Sequence, residues 1–137
     1  MSSDSMAFLV AFALTVVSLL GVMGSGFARK RTLHYALVVV TLALLLVAIY
    51  FAERLGRRLV FEGTAARVKL VHMTFVAATT VQLVVMIVTG VRLALARGPD
   101  AVARRARHRR MAFVFLGLVV VTSGLGFAMT WLAGAAG

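Results

Sequence analysis

"MAFLVAFALTVVSLLGVMGSGFA", residues 6–28, runs for 23 residues without a charged side chain. At 1.5 Å per residue a helix of that length rises about 34 Å, enough for a bilayer hydrocarbon core of about 30 Å. Apolar and polar residues do not alternate along it, which argues against a strand of a membrane barrel. Three further stretches have the same character. "LHYALVVVTLALLLVAIYFA" starts at Leu33, another covers residues 68–96, and the last has its apolar part over 109–133. None carries a charge near its centre, so each reads as a spanning helix. The expected fold is an all-α membrane protein, an up-and-down four-transmembrane-helix bundle forming one domain over residues 1–137. Its helices are expected at about 6–28, 33–55, 68–96 and 101–133.

Composition agrees. The 137 residues are 62% hydrophobic and 14% charged, with a mean hydropathy of +1.02, well beyond the usual apolar share of a soluble domain. Four crossings use most of the chain, which leaves no separate soluble catalytic domain, and no enzyme activity is expected. The net charge of +11 would suggest nucleic acid in a soluble protein. Here the Lys and Arg residues sit between apolar segments, where lipid headgroups account for them, so no nucleic-acid partner is expected. With no cysteine, disulfides, thiolate metal sites and cysteine nucleophiles are excluded.

The basic residues also set an expected orientation. Ten of them, Arg29, Lys30, Arg31, Arg92, Arg97, Arg104, Arg105, Arg107, Arg109 and Arg110, follow the first and third segments. Five, Arg54, Arg57, Arg58, Arg67 and Lys69, follow the second. The positive-inside rule then puts both termini outside and the 1–2 and 3–4 turns in the cytoplasm. The small residues of "GSGFA" resemble the end of a signal peptide, but "MSSDS" has Asp4 and no positive charge, so a retained first helix is expected. Gly98 and Pro99 close the third helix, and Asp100 reads as an N-cap of the fourth. "LVF" at 59–61 is expected to dip into the interface, and Tyr35, Tyr50 and Trp131 fall near segment boundaries, as belt aromatics do. Gly21, Gly24, Ser25, Gly26, Gly117, Ser123, Gly124 and Gly126 are candidate close-packing positions.

Chemistry concentrates on three histidines. "KRTLHYAL" (30–37) and "RRARHRRMAF" (104–113) share a layout of basic pair, two spacers and histidine before an apolar run. Alternating crossings put His34 and His108 on one membrane face and His72 on the other. His72 lies about 35 Å from the inner end of its helix near Leu95, too far for the roughly 2 Å bonds of a three-histidine zinc site. The four acids, Asp4, Glu53, Glu62 and Asp100, read as tail or loop residues, so no carboxylate at membrane depth marks a proton or ion path. All three histidines read as lying near helix starts, where the helix dipole, with neighbouring arginines at the inner pair, disfavours imidazolium. Neutral imidazole ligates metal or haem iron. His34 and His108 are therefore candidate ligands, with Arg104, Arg105, Arg109 and Arg110 available to haem propionates. Met111, one turn beyond His108, and Met23 offer a cuprous alternative. Thr41 and Thr79 each follow a histidine by seven residues, and His108, Phe115, Val119 and Thr122 form one stripe. These faces are expected to point into the protein. Interfacial residues bonded to headgroups, water or loop carbonyls are the alternative reading of the histidines, and Gln82 reads as interhelical glue.

With His34, His72 and His108 at these positions, "RHRRMA" from Arg107, "TSG" at 122–124 and "FEG" at 61–63 followed by Arg67, the chain resembles a family of small four-helix bacterial membrane proteins of long-unknown function. Some members are implicated in haem-copper cytochrome oxidase maturation. The resemblance covers roughly residues 28–132. Where that family ends its second helix with a histidine, this chain has "IYFAERLG", with Tyr50 and Glu53. The paired histidines are also similar to those of four-helix b-type cytochromes. The resemblance implies an integral membrane binding protein that serves assembly, or haem or copper handling, of a respiratory complex, in contact with membrane lipids and a membrane-protein partner. A non-catalytic accessory subunit and a b-type electron-transfer cytochrome are the alternatives.

Overall fold

The computed structural model describes residues 3–96 and 100–135. It is 92% helical, with no strand among the described residues. The helices are α1 (Ser3–Phe27), α2 (Arg31–Gly56), α3 (Gly63–Leu95) and α4 (Asp100–Ala135). All four are long and apolar enough to cross a membrane. The expected all-α, four-helix, multi-pass fold is therefore the one observed. Arg97, Gly98 and Pro99 lie outside the described residues, and with them the expected closing of the third helix by Gly98 and Pro99; α3 ends at Leu95, and Asp100, expected as the N-cap of the fourth helix, is the first residue of α4. The chain forms two compact units, Met1–Leu59 and Val60–Gly137. In the first α1 packs on α2, and in the second α3 packs on α4.

Two helices start several residues before their expected positions. α1 begins at Ser3 rather than near residue 6, and α3 at Gly63 rather than near 68. Hydropathy marks where a helix meets lipid, whereas the backbone stays helical through good helix formers such as the Ala65, Ala66, Arg67 and Lys69 of "GTAARVK". Gly63 has φ +52°, a left-handed conformation that glycine adopts without steric cost, and it turns the extended chain into α3. "LVF" lies in the short connection before it, where the Phe61 ring meets the Lys69 ammonium 4.4 Å from its centroid.

In the first unit α1 faces α2 with a stripe of small and polar residues. Asp4, Ala11, Thr15, Ser18 and Ser25 are its buried positions, spaced by threes, fours and sevens as one helix face requires. Lipid tails give helices no hydrophobic reason to pair, so close backbone approach and hydrogen bonds must hold them. Ser18 and Thr41 supply one such bond across the pair, Oγ to Oγ1 at 2.7 Å. The Leu37 side chain fills the space beside Gly21, 3.2 Å from where a Cβ would stand.

The ends of this unit are fixed differently. At the turn, Arg29 is left-handed (φ +57°). Its N–H donates to the Gly26 carbonyl at 3.3 Å, and that of Lys30 donates to the Ser25 carbonyl at 3.0 Å. This is the Schellman arrangement, which satisfies the last carbonyls of a helix. At the open end the buried Asp4 carboxylate meets the Arg58 guanidinium at 2.6 Å and that of Arg54 at 3.5 Å. Asp4 is thus a first-turn helix residue rather than part of a tail, and Glu53 lies in α2, where Arg57 donates to it at 2.6 Å. Both acids remain at helix ends.

In the second unit Thr79 and Thr122 pair at 2.8 Å. The Gln82 amide donates to the Met111 carbonyl at 3.2 Å and to its sulfur at 3.5 Å, the interhelical role expected of it. Phe115 is buried in the same interface. The expected stripe of His108, Phe115 and Thr122 therefore turns toward α3. The large apolar side chains that point away, such as Leu70, Val91, Leu95 and Trp131, are exposed. In water they would form an extended apolar surface, whereas in a bilayer they meet acyl chains. Tyr35 and Tyr50 are exposed as well.

Candidate functional site

Each histidine docks on the other helix of its own hairpin. His34, in the first turn of α2, reaches the end of α1. Its Nδ1 lies 2.9 Å from the Val22 carbonyl oxygen and 3.3 Å from Ser25 Oγ. The ring edge covers Gly26, where a Cβ would stand 3.4 Å from Cε1 and Nδ1. His108, on α4, does the same near the end of α3. Its Nδ1 is 3.3 Å from Thr89 Oγ1, and its Cε1 would be 3.3 Å from a Cβ at Gly90. In both hairpins a hydroxyl residue followed by glycine, Ser25–Gly26 and Thr89–Gly90, receives the imidazole of the next helix.

His72 is seated by the same principle at the open end of the second hairpin. Its Nδ1 lies 3.0 Å from the Thr122 carbonyl oxygen, and its Cε1 would be 3.2 Å from a Cβ at Gly126. From His108 to Thr122, fourteen residues of α4 rise about 21 Å, so His72 and His108 stand at opposite ends of that hairpin. No group of three His, Cys, Asp or Glu side chains suited to one metal ion occurs among the described residues.

The expectation that all three rings lie near helix starts needs correction. α3 begins nine residues before His72, and α4 eight before His108. The field of a helix end fades within about one turn, so by position it reaches only His34. Protein-family models, curated proteins and solved structures give no match to this chain. The function must therefore be read from the site itself.

The remaining candidate residues divide by exposure. Arg104, Arg105, Arg109 and Arg110 are all exposed, so their guanidinium groups meet water or headgroups. Arg104 also lines an open hollow of about 380 Å³ with Arg92, Leu95, Ala96 and Asp100. Met111 has its sulfur on the Gln82 amide, so a metal at that sulfur would have to displace an interhelical hydrogen bond. Among the candidate packing residues, Gly21, Gly26 and Gly126 face the neighbouring helix, whereas Gly24, Gly117 and Gly124 face open space.

The sequence reading missed the partners rather than the histidines. Thr89 and Gly90 were not singled out, and Ser25, Gly26 and Gly126 were noted only for packing. The available signal was a Ser-Gly or Thr-Gly step near the end of the helix preceding each of His34 and His108.

Proposed function

We propose that the chain is an integral membrane binding protein for haem or metal handling in the assembly of a respiratory membrane complex, with His34 and His108 as its ligands. The observation that carries this reading is the duplicated seat, in which Ser25–Gly26 and Thr89–Gly90 each engage an imidazole through Nδ1. A metal-ligating histidine is typically oriented this way, its second nitrogen held by a carbonyl or another polar group. The donor set suits haem iron better than cuprous ion, because the Met111 sulfur is engaged with Gln82. Arg105 and Arg109 are the residues for haem propionates, since planar guanidinium pairs well with carboxylate. Bound haem would supply the redox-active iron, while these residues bind and orient it. The basic residues around the 1–2 and 3–4 turns support a bacterial inner-membrane location with both termini outside.

A second reading, a non-catalytic accessory subunit, is favoured by the same hydrogen bonds, because each one also ties two helices together. The deciding experiment is the absorption spectrum of the protein purified in detergent without added metal. A Soret band that disappears in His34→Ala and in His108→Ala supports the ligand reading, whereas a colourless, metal-free protein refutes it in favour of the accessory subunit. If a band is present, a dithionite-reduced spectrum separates a redox cytochrome from a carrier.

A further inference from the structure

Hydrogen-bond chemistry at the three rings determines more than their position. A neutral imidazole carries one proton, on Nδ1 or on Nε2, and the nitrogen without it holds the lone pair that can ligate. A backbone carbonyl only accepts. His34 Nδ1 faces the Val22 carbonyl at 2.9 Å and His72 Nδ1 faces that of Thr122 at 3.0 Å, so in both rings the proton is on Nδ1. At His108 Nδ1 faces the Thr89 hydroxyl, which can act either way. Thr89 has one hydroxyl proton and points it into the carbonyls of its own helix, Val85 at 2.8 Å and Met86 at 3.1 Å. What it offers His108 at 3.3 Å is a lone pair. Ser25 behaves alike, donating to Val22 at 2.9 Å.

We propose that all three histidines are held as the Nδ1–H tautomer by the neighbouring helix, so that in His34 and His108 Nε2 is the ligating nitrogen. Thr89, Gly26, Gly90 and Gly126 are the positioning residues. The glycines matter because a Cβ at any of them would stand 3.2–3.4 Å from the imidazole edge, and the ring would have to retreat from its acceptor. Thr89 matters because its committed proton leaves only an acceptor for His108. The tautomer assignment rests on the hairpins alone. Its use for ligation rests on the proposed function.

The test is long-range ¹⁵N–¹H correlation on imidazole-labelled full-length protein in detergent at about pH 9, above the ordinary imidazole range. Three rings with protonated Nδ1 and unprotonated Nε2 are expected, and a ring dominated by Nε2–H overturns the proposal. Thr89→Val, which keeps the shape and removes the acceptor, is expected to convert the His108 pattern alone to a tautomer mixture, and Thr89→Ser to restore it. An unchanged His108 pattern in Thr89→Val refutes the positioning role of Thr89. Gly126→Ala is expected to release His72 in the same way, and a retained His72 pattern in folded Gly126→Ala refutes the positioning role of Gly126. Haemin and cuprous ion are then titrated separately. If the tautomers are as stated and neither probe binds, the proposed function fails and the assignment stands. If a probe binds and perturbs Nδ1 instead of Nε2, the assignment fails and the binding function stands.

Discussion

Replacing Arg29 with glycine should make the first hairpin more stable. Arg29 holds φ +57° in the turn between α1 and α2, a conformation that costs a residue with a Cβ about 1–2 kcal/mol. Glycine removes that penalty but loses more freedom on folding, a cost of roughly 0.5–1 kcal/mol. The balance favours Arg29→Gly by about 0.5–1 kcal/mol. Both turn hydrogen bonds use backbone atoms and survive the change. Thermal unfolding in detergent, followed by far-UV circular dichroism, should show a midpoint higher by about 2–5 °C. Arg29→Ala is the control, since it removes the same charge and keeps the Cβ, and it should give no gain. Equal stabilisation by Ala and Gly would show that charge rather than backbone strain governs the turn. An unchanged or lower midpoint in Arg29→Gly would refute the reasoning outright.

Three further outcomes follow from the packing. Asp4→Ala removes the carboxylate between Arg54 and Arg58 and should destabilise the first hairpin by about 1 kcal/mol, in keeping with a partly exposed ion pair, measured by the same melt in low and high salt. Gln82→Leu should cost about 0.6 kcal/mol, the usual size of a hydrogen bond between membrane helices, and a loss several times larger would mean that Gln82 has a task beyond joining α3 to α4. Because the chain has no cysteine, single substitutions report topology without background. Ser3→Cys should label from outside intact cells and Arg107→Cys only after permeabilisation, and the reverse pattern would invert the proposed orientation.

The four helices were legible because membrane insertion leaves a crude signal, long apolar runs separated by charge. Helix starts were less legible, since Ser3–Ser5 and "GTAARVK" are helical without being apolar, and hydropathy does not register them. The same limit moved His72 and His108 from expected helix starts to positions about two turns inside α3 and α4. At the site the histidines, Thr41, Thr79 and Gln82 stood out, because polar side chains in apolar runs are conspicuous. Gly90 did not, and Gly26 and Gly126 stood out only as packing positions, since a glycine that receives a ring and one that faces open space, such as Gly117, look the same in one dimension. The carbonyls of Val22 and Thr122 were beyond any reading of residue type, for every residue has one. Only the register between paired helices selects them.

The three-residue link from Phe27 to Arg31 bears on how the protein is made. Partners so near in sequence meet quickly after synthesis, because little chain entropy is lost in closing the turn. Ser18 and Thr41, and likewise His34 and Val22, can therefore find each other while later segments are still on the ribosome. The first two helices are suited to leave the translocon together, their polar groups already shielded from lipid.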